Sequence, residues 1–556
     1  MLLIGLTGCA QQVPPTGGPQ DKTPPKILEV TPRKNSTLVP RTQKIEFLFS
    51  EAMNRKTLER SIFITPDPGE RVRYKWKKHR LSIEYLDSLK VNTTYVITLG
   101  TDLKDAHGNS LQQSFTLAFS TGEEISKGEI SGRVYSEKSN QAVLIWAYLL
   151  ESGQDPDPVQ KSGDYATQTG NRGRYKLANL SEGTYRIFAI RDKDKNRFYE
   201  VGTDEIAVTS RDVTLSTANA SIANVDFRMV ARDTLGPALI SASAKDRSHL
   251  LLRFDENLRQ EGSDEPGNFS VYPTRSSSKD TLEVKITYLN PVDPMEIVLS
   301  TSPQTAKTEY EVLVKNLQDL AKNPVDASFN KVKFVGSVVP DSLAPRIVKT
   351  IPADSARAVL LDAPIELDFS EAVVKPSFER NFQLQDSTGQ QVSGTFFWDT
   401  PASVKFSPDR PLKSVASYFV RVAPDSVSDL FGNVLSDTVF HLTFTTINAD
   451  TFSSISGTVV DEDATATGTI HLKAFQQGVK AQSYTLKLEQ PGPYKFDDVL
   501  PGLYLIEGFR DQDENGEYSP GEVIPFVPAE RFVVYPDSIH VRSRWPNEGN
   551  DIRFKR

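Results

Sequence analysis

The stretch "KIEFLFSEAM" at residues 44–53 occurs again as "PIELDFSEAV" at 364–373, and "LLLRFDENL" at 250–258 is a looser copy. In the first copy every second residue from Ile45 to Phe49 is apolar, which is the period of a β-strand with one buried face. Each copy then ends in a Ser-Glu or Asp-Glu pair. The repetition predicts a strand-based module that this chain uses three times.

Two further motifs accompany this strand in each copy. A strand and turn in "TYVITLGTDLKDAHGNSL" (94–111) match "SYFVRVAPDSVSDLFGNVL" (417–435) and, more loosely, "EYEVLVKNLQDLAKNPV" (309–325). The pattern Asp-x-x-x-Pro-x-[Ile/Leu] precedes the copies and begins at Asp21, Asp233 and Asp341. Proline opposes helix formation and strand pairing, so this pattern suits a linker that leads into a first strand. We call the whole repeat module A.

A second repeat, module B, fills the remaining segments. The stretch "EISGRV" (129–134) matches "SISGTV" (454–459). Downstream, "GRYKLANLSEGTYRIFAIRDKDKNRFYE" (173–200) matches "GPYKFDDVLPGLYLIEGFRDQDENGEYS" (492–519). Both modules are rich in β-branched and aromatic residues and are interrupted by Gly and Pro, which predicts an all-β chain.

The modules follow one another in the order A-B-A-A-B. A chain of 556 residues is too long for one core, whereas about 100 residues per module suits an immunoglobulin-like sandwich. The sequence thus predicts a tandem array of five β-sandwich domains, which would form a rod if stacked end to end. The predicted segments are 1–22 (truncated signal, lipobox and tether), 23–126, 127–231, 232–338, 339–449 and 450–556.

Both modules resemble known domain families. Module A, through its Pro-x-Ile start, its "FSE" and its Asp-x-x-Gly-Asn turn, resembles the bacterial Ig-like domain of S-layer proteins. Module B, through "I-S-G-x-V" and "Y-x-L-x-x-L-x-x-G-x-Y", looks like the carboxypeptidase-regulatory or transthyretin-like β-sandwich. The segment 232–338 departs most, because it lacks the serine of "FSE" and the glycine of the turn. These resemblances imply a fold and are almost silent on function.

The only cysteine of the chain, Cys9, lies in "MLLIGLTGCAQQ". Leu6-Thr7-Gly8-Cys9 resembles the lipobox of bacterial lipoproteins, which implies cleavage before Cys9 and a diacylglycerol on its sulfur. Only eight residues precede Cys9 and none is positively charged, so the usual signal is incomplete. The alternative is a disordered N-terminus with a free thiol. By the resemblance, Ala10 favours the outer membrane, facing the periplasm, with the cell surface as the other location.

The loop "RDQDENGEYSPGE" (510–522) has the spacing of a calcium site, D-x-[DN]-x-[DN]-G-x₅-E. Calcium prefers six to eight hard oxygen ligands. The predicted ligands are Asp511, Asp513, Asn515, Glu517 and Glu522. Since a strand-like stretch precedes the loop and Pro520 opposes a helix, we expect an EF-hand-like loop between strands. The alternative is a solvated acidic hairpin. The first copy keeps Asp192, Asp194 and Asn196 but lacks the glycine and the final glutamate, so calcium is not expected there.

Cationic residues alternate with apolar ones in "RVRYKWKKHR" (71–80). The cationic residues of this strand are Arg71, Arg73, Lys75 and Lys77. One interpretation is contact with a polyanion, either lipid phosphates or an acidic polysaccharide. The other is an edge strand that positive charge protects against aggregation.

The repeated polar motifs of module A also have two interpretations. Ser50 and Glu51 either contact a ligand or cation at a domain tip, or they end a strand with a local hydrogen bond from side chain to backbone. Asp105 and Asp429 each precede a Gly-Asn pair, which fits a turn that needs Asx bonding and positive φ.

Composition narrows the class of function. The formal net charge is −8, so a nucleic-acid partner is not expected. The six histidines are scattered, and no HExxH, G-x-S-x-G or glycine-rich phosphate loop is present. We therefore expect a non-catalytic lipoprotein of the cell envelope, acting as a scaffold with an envelope protein as partner. The alternative is an envelope lipoprotein that binds glycan or peptide.

Overall fold

The computed structural model is all-β, as the repeats predict. It contains one α-helix, α1 (Lys375–Glu379), among its described elements. Short 3-10 turns lie at Arg55–Thr57, Asn171–Gly173, Pro266–Asn268 and Ala449–Thr451. The structure describes residues 21–65, 71–138, 142–150, 155–196, 199–230, 233–274, 281–423, 426–435, 440–478 and 482–555. Among these residues, no helix has the length and apolar character needed to cross a bilayer.

The first domain is a sandwich of two antiparallel sheets. Its strands are β1 (Ile27–Thr31), β2 (Ile45–Phe49), β3 (Ile62–Thr65), β4 (Val72–Lys77), β5 (Arg80–Tyr85), β6 (Thr94–Leu99) and β7 (Phe115–Ser120). The sheets have the orders β1-β2-β5-β4 and β3-β6-β7. On β2, Ile45, Phe47 and Phe49 are buried while Glu46 and Leu48 are only partly covered, which is the predicted alternation.

The second domain has a larger and a smaller sheet. Its strands are β8 (Gly128–Tyr135), β9 (Leu144–Leu149), β10 (Tyr165–Gln168), β11 (Arg174–Leu180), β12 (Gly183–Arg191), β13 (Glu205–Val208), β14 (Val213–Leu215), β15 (Ser221–Ile222) and β16 (Phe227–Arg228). One sheet has the order β10-β9-β12-β13, with β14 also on β12. The other has the order β11-β8-β15, with β16 also on β8.

The third and fourth domains repeat the architecture of the first. The third contains β17 (Leu239–Ala244), β18 (His249–Phe254), β19 (Phe269–Pro273), β20 (Val284–Leu289), β21 (Glu296–Thr301), β22 (Glu309–Val314) and β23 (Lys331–Val335). The fourth contains β24 (Ile347–Ile351), β25 (Ala356–Val359), β26 (Ile365–Phe369), β27 (Phe382–Asp386), β28 (Gly394–Thr400), β29 (Ser403–Pro408), β30 (Ser417–Val422) and β31 (Phe440–Thr446). Their sheets run β17-β18-β21-β20 with β19-β22-β23, and β24-β26-β29-β28 with β25-β31-β30-β27.

The fifth domain repeats the architecture of the second. It contains β32 (Ser453–Asp461), β33 (Thr469–Gln476), β34 (Ser483–Leu488), β35 (Pro493–Val499), β36 (Gly502–Asp511), β37 (Phe532–Val534), β38 (Ile539–Val541) and β39 (Ile552–Phe554). One sheet has the order β35-β32-β39 and the other β34-β33-β36-β37, with β38 also on β36. Each of the five domains encloses its own cluster of buried apolar side chains.

The domains are not stacked end to end, because the fifth packs against the second. Trp146 and Phe188 of the second domain share one apolar cluster with Val523 and Ala529 of the fifth, and Phe63 of the first joins them. The apolar faces of two module B domains therefore cover each other, and a simple rod does not describe the chain.

Ionic and aromatic contacts border this cluster. The guanidinium carbon of Arg186 lies 3.6 Å from the centre of the Phe526 ring. Nη2 of Arg228 lies 3.2 Å from both carboxylate oxygens of Glu507. Both pairs join the second domain to the fifth, so the contact combines apolar burial with directional electrostatics.

Replacing Phe526 with alanine tests this contact. The Phe526→Ala variant should lose about 2 kcal/mol of docking free energy, because the ring packs on Phe188 and under the Arg186 cation. Small-angle scattering should show a larger radius of gyration. The matched control is Phe397→Ala, since the Phe397 side chain is exposed. An unchanged scattering profile for Phe526→Ala would contradict this account of docking.

Candidate functional site

The predicted calcium loop begins at Asp511, the last residue of β36. The Asp511 carboxylate is buried, and its Oδ1 accepts from the backbone N of Asn515 at 3.1 Å. Its Oδ2 accepts from the backbone N of Gly516 at 2.9 Å and lies 3.2 Å from Nε2 of His471. Gly516 has φ +79°, a backbone conformation that favours glycine. The loop therefore curves around the Asp511 carboxylate, which accepts hydrogen bonds from the loop backbone.

A buried ion pair fixes the base of the loop. Nε of Arg510 donates to Asp461 Oδ2 at 2.9 Å, and Nη1 of Arg531 donates to Asp461 Oδ1 at 2.8 Å. The Arg510 and Asp461 side chains are 5% and 2% exposed. Because separating such a pair would leave a buried charge without compensation, these residues hold both ends of the loop in one position.

The next polar side chains form a network across the loop. Nδ2 of Asn515 donates to Asp513 Oδ2 and to Ser519 Oγ, both at 2.9 Å. The Ser519 hydroxyl donates to Asp513 Oδ2 at 2.7 Å and lowers the pKa of that carboxyl. Asn515 Oδ1 accepts from the backbone N of Glu517 at 2.6 Å. The network keeps Asp513 ionised and orders the middle of the loop.

Glu530 joins the cluster from outside the predicted motif. One carboxylate oxygen each of Asp511, Asp513 and Glu530 lie within 4.8 Å of one another. Glu530 also accepts from the backbone N of Gln512 at 2.6 Å and of Ser519 at 2.9 Å. Burial raises the pKa of Glu530, and the charges of Asp513 and Asp511 raise it further. The loop spacing gives no signal for Glu530, which returns to the loop just before β37.

Two of the predicted ligands, Glu517 and Glu522, are not among the three clustered carboxylates. Oε2 of Glu517 is 3.4 Å from Nζ of Lys322 in the third domain, and the Glu517 side chain is 70% exposed. The backbone of Glu522 exchanges two hydrogen bonds with Val527, at 2.8 and 2.9 Å. This bridge reverses the chain just after Glu522, and metal binding by Glu517 and Glu522 stays a prediction.

The donor set of the cluster suits a hard divalent cation. Asp511, Asp513 and Glu530 offer carboxylate oxygens, whereas the Asn515 amide presents its nitrogen to Asp513 and its oxygen to the backbone N of Glu517. Oxygen donors of these types are the ligands that Ca²⁺ prefers. The clustered carboxylates therefore fit calcium, and the set of side chains that would bind it stays a prediction.

The corresponding loop of the second domain is used differently. Asn196 donates from its backbone N to Asp192 Oδ1 at 3.2 Å and from Nδ2 to Glu200 Oε1 at 3.0 Å. Nζ of Lys195 lies 2.8 Å from Asp102 Oδ1 in the first domain. An ammonium group thus supplies the positive charge at this loop and ties it to the neighbouring domain.

The basic stretch forms β4, an edge strand of its sheet. Arg71, Arg73, Lys75 and Lys77 are exposed, as the alternation predicts. Arg71 Nη1 lies 2.9 Å from Asp87 Oδ2, and Lys75 Nζ lies 2.6 Å from Glu84 Oε2. Internal carboxylates therefore offset part of this positive surface. Edge position and pairing favour protection of the strand, and polyanion contact stays a prediction.

The repeated motifs of module A form the predicted turns. Asp105 Oδ1 accepts from the backbone N of His107 and of Asn109, both at 2.8 Å, and Gly108 has φ +93°. The fourth domain repeats this turn around Asp429. In the third domain, Lys322 adopts φ +71° where the other copies have glycine.

The serine of "FSE" has a structural partner. Ser50 Oγ accepts from the backbone N of Lys26 at 2.9 Å, and Ser370 Oγ accepts from that of Arg346 at 3.0 Å. In both domains this hydroxyl fixes the linker to the end of a core strand. The prediction of a local hydrogen bond was wrong, because the hydroxyl bonds a backbone N that lies 24 residues earlier in the chain. Cys9 lies outside the described residues.

Comparison with known proteins gives a family match for two domains. The family model described as "Bacterial Ig-like domain" matches residues 21–121 and 341–446. No curated protein sequence matches the chain. The family match indicates a structural module of the bacterial Ig-like type and identifies no specific function.

Solved structures give distant matches. The N-terminal part of the bacterial S-layer protein SbsC is 15% identical over 38% of this chain and 44% of that chain, with a TM-score of 0.17. Domains 1–6 of the surface layer protein SbsC are 10% identical over 93% and 66%, with a TM-score of 0.16. An L,D-transpeptidase from Mycobacterium smegmatis is 13% identical over 37% and 90%, with a TM-score of 0.14.

The chain thus spans less than half the length of the first of these structures. TM-scores this low support no inference about activity or partners. The assignment therefore rests on the family match and on the repeated sheets. The chain is an all-β array of β-sandwiches whose first and fourth domains match the model of the bacterial Ig-like domain.

Proposed function

We propose that this chain is a non-catalytic lipoprotein of the cell envelope that acts as a scaffold, with an envelope protein as its partner. The observation that carries the proposal is the docking of the fifth domain on the second, because residues of both domains form one apolar cluster. Such docking fixes the relative positions of several sandwich surfaces. A fixed array presents a partner with a defined surface at little further entropy cost.

Calcium at the C-terminal loop would reinforce this array. The loop lies in the domain that docks, and Glu517 at its tip faces Lys322 of the third domain. A cation held by Asp511, Asp513 and Glu530 would offset three clustered negative charges. Its role in this proposal is to stiffen the loop and the contacts beside it, without any chemical step.

Calcium should raise the melting temperature of the purified protein relative to the protein in EDTA. Binding to the folded state alone stabilises it by about 1.4 kcal/mol at a calcium concentration ten times the dissociation constant. The Asp511→Asn/Asp513→Asn variant should lose the increase in the transition of the fifth domain. Asp537→Asn is the matched control, because Asp537 is an exposed carboxylate of the same domain.

Two single variants separate the geometry of the structure from that of the motif. Glu530→Gln should reduce the calcium-dependent stabilisation more than Glu522→Gln, because Glu530 lies in the acidic cluster. Differential scanning calorimetry with and without calcium measures both. A larger effect of Glu522→Gln would restore the EF-hand-like arrangement, and no calcium effect in the wild type would reduce the loop to an acidic turn.

Lipidation at Cys9 is the second part of the proposal, and it rests on the sequence "LTGC". Feeding cells an alkyne-tagged fatty acid should label the wild-type protein and leave Cys9→Ser unlabelled. Because acyl chains supply the membrane affinity, the variant should also leave the membrane fraction. Label retained on Cys9→Ser would remove the lipoprotein from the proposal.

The alternative function is binding of glycan or peptide, and a cavity favours it. A cavity of about 350 Å³ lies between the second and fifth domains. Its lining mixes aromatic and charged groups, among them Tyr135, Asp226, Tyr518, Arg531, Phe532 and Tyr535. Aromatic rings beside polar groups are typical of sites that hold polar organic ligands.

Two measurements separate the scaffold from the binder. Cross-linking in cells followed by mass spectrometry should give a recurrent envelope protein if the chain is a scaffold. Binding on a glycan array that Tyr518→Ala abolishes would favour the cavity instead. A chain that gives no cross-linked protein and retains glycan would replace the scaffold proposal with the alternative.

A further inference from the structure

Each module A domain brings three carboxylates together from three separate motifs. They are the aspartate of the entering linker, the glutamate that follows the repeated strand, and the aspartate of the turn. In each domain, one oxygen of each carboxylate lies within 4.8 Å of one oxygen of the others. The three clusters are Asp21, Glu51 and Asp105; Asp233, Glu256 and Asp319; and Asp341, Glu371 and Asp429. The first also contains His107. Clustered like charges repel, so hydrogen-bond donors, a proton or a cation would stabilise these sites.

The cluster of the fourth domain differs because the third domain contributes to it. Asp341 is also within 4.8 Å of Asp246, in the turn between β17 and β18, and of His249, the first residue of β18. Nδ1 of His249 is 2.7 Å from Asp246 Oδ2 and 3.7 Å from Asp341 Oδ2. The His249 ring also meets the ring of Phe431 edge-on, with centroids 4.9 Å apart. Asp341 therefore stands between two domains.

A buried oxygen of Asp341 has no hydrogen-bond partner. The Asp341 side chain is only 4% exposed. Its Oδ1 accepts a hydrogen bond from the backbone N of Leu343 at 3.2 Å. Oδ2 is buried and accepts no hydrogen bond. Withdrawing a carboxylate oxygen from water without a partner is costly, which makes this atom a natural ligand for a cation.

Electrostatics at Glu371 agree with this geometry. Burial raises the pKa of Glu371 to about 8, and the charges of Asp341, Asp429 and Asp246 add to the effect. The guanidinium of Arg346 opposes it. Full ionisation of the three carboxylates is therefore unfavourable unless another group offsets their charge.

We propose that the junction of the third and fourth domains binds a divalent cation through Asp341, Glu371 and Asp429. Three carboxylates are hard oxygen donors, so Ca²⁺ is the cation that this set suits best. Asp246 and His249 hold Asp341 from the side of the third domain. A cation there would tie two Ig-like domains together at their linker. This site is separate from the loop that follows β36.

Calcium titration by calorimetry on the chelator-stripped full chain tests the site. The background is Asp511→Asn/Asp513→Asn, which removes the C-terminal loop from the measurement. In this background calcium should still bind. Adding Asp341→Asn and Glu371→Gln should weaken that binding about 10- to 100-fold or abolish it. Asp362→Asn in the same background is the matched control, because Asp362 is an exposed carboxylate of the fourth domain.

Melting in EDTA guards against a variant that simply misfolds. Glu371→Gln removes one of the three clustered negative charges. At pH 8 without calcium, this variant should therefore unfold at the same temperature as the loop-deficient background protein, or at a higher one. It should also lose the calcium-dependent rise of the parent. Calcium binding that is unchanged by Asp341→Asn and Glu371→Gln would overturn the proposal. So would the absence of any binding in the loop-deficient background, which would leave a shared proton as the neutralising group.

Discussion

Docking of the fifth domain on the second is the interaction on which the arrangement of the array depends. Trp146 and Phe188 pack with Val523 and Ala529, so the two module B domains bury one another's apolar faces. Two whole module A domains lie between them in sequence. Other junctions have contacts of their own, such as Tyr288 of the third domain, which packs in the core of the fourth, but this contact joins domains that are distant in sequence. The cavity and the acidic loop both border the contact, so their geometry depends on it as well.

Charged groups then fix orientation at the other junctions. Lys195 reaches Asp102 of the first domain, and Lys322 of the third domain reaches Glu517. The Lys322–Glu517 pair is exposed, and a pair of that kind contributes only about 0–1 kcal/mol. The position of both ion pairs is more informative than their strength, because the corresponding loops of both module B domains extend to a module A domain. Apolar burial thus provides most of the association, and the ion pairs select one arrangement.

Clustered carboxylates recur wherever the chain passes between elements that must stay together. At the C-terminal loop, Asp511 and Asp513 meet Glu530, and backbone donors satisfy part of the negative charge. At the junction of the third and fourth domains, Asp341 retains a buried oxygen without such a donor. Negative charge that is partly shielded from water has to be compensated at both places. Backbone N–H groups do this at the loop, whereas one oxygen of Asp341 lacks such a donor.

The sequence alone determined the features that depend on neighbouring residues. Alternation around Phe47, the Asx turn at Asp105 and the exposed cations of β4 follow from the two-residue period and from local turn chemistry. The repeats likewise predicted the all-β class and the two kinds of module. Only the tertiary structure decided that Glu530 joins Asp511 and Asp513 in an acidic cluster and that the fifth domain packs on the second. Such contacts join residues far apart in sequence, and no local spacing encodes them, because they depend on how whole domains pack.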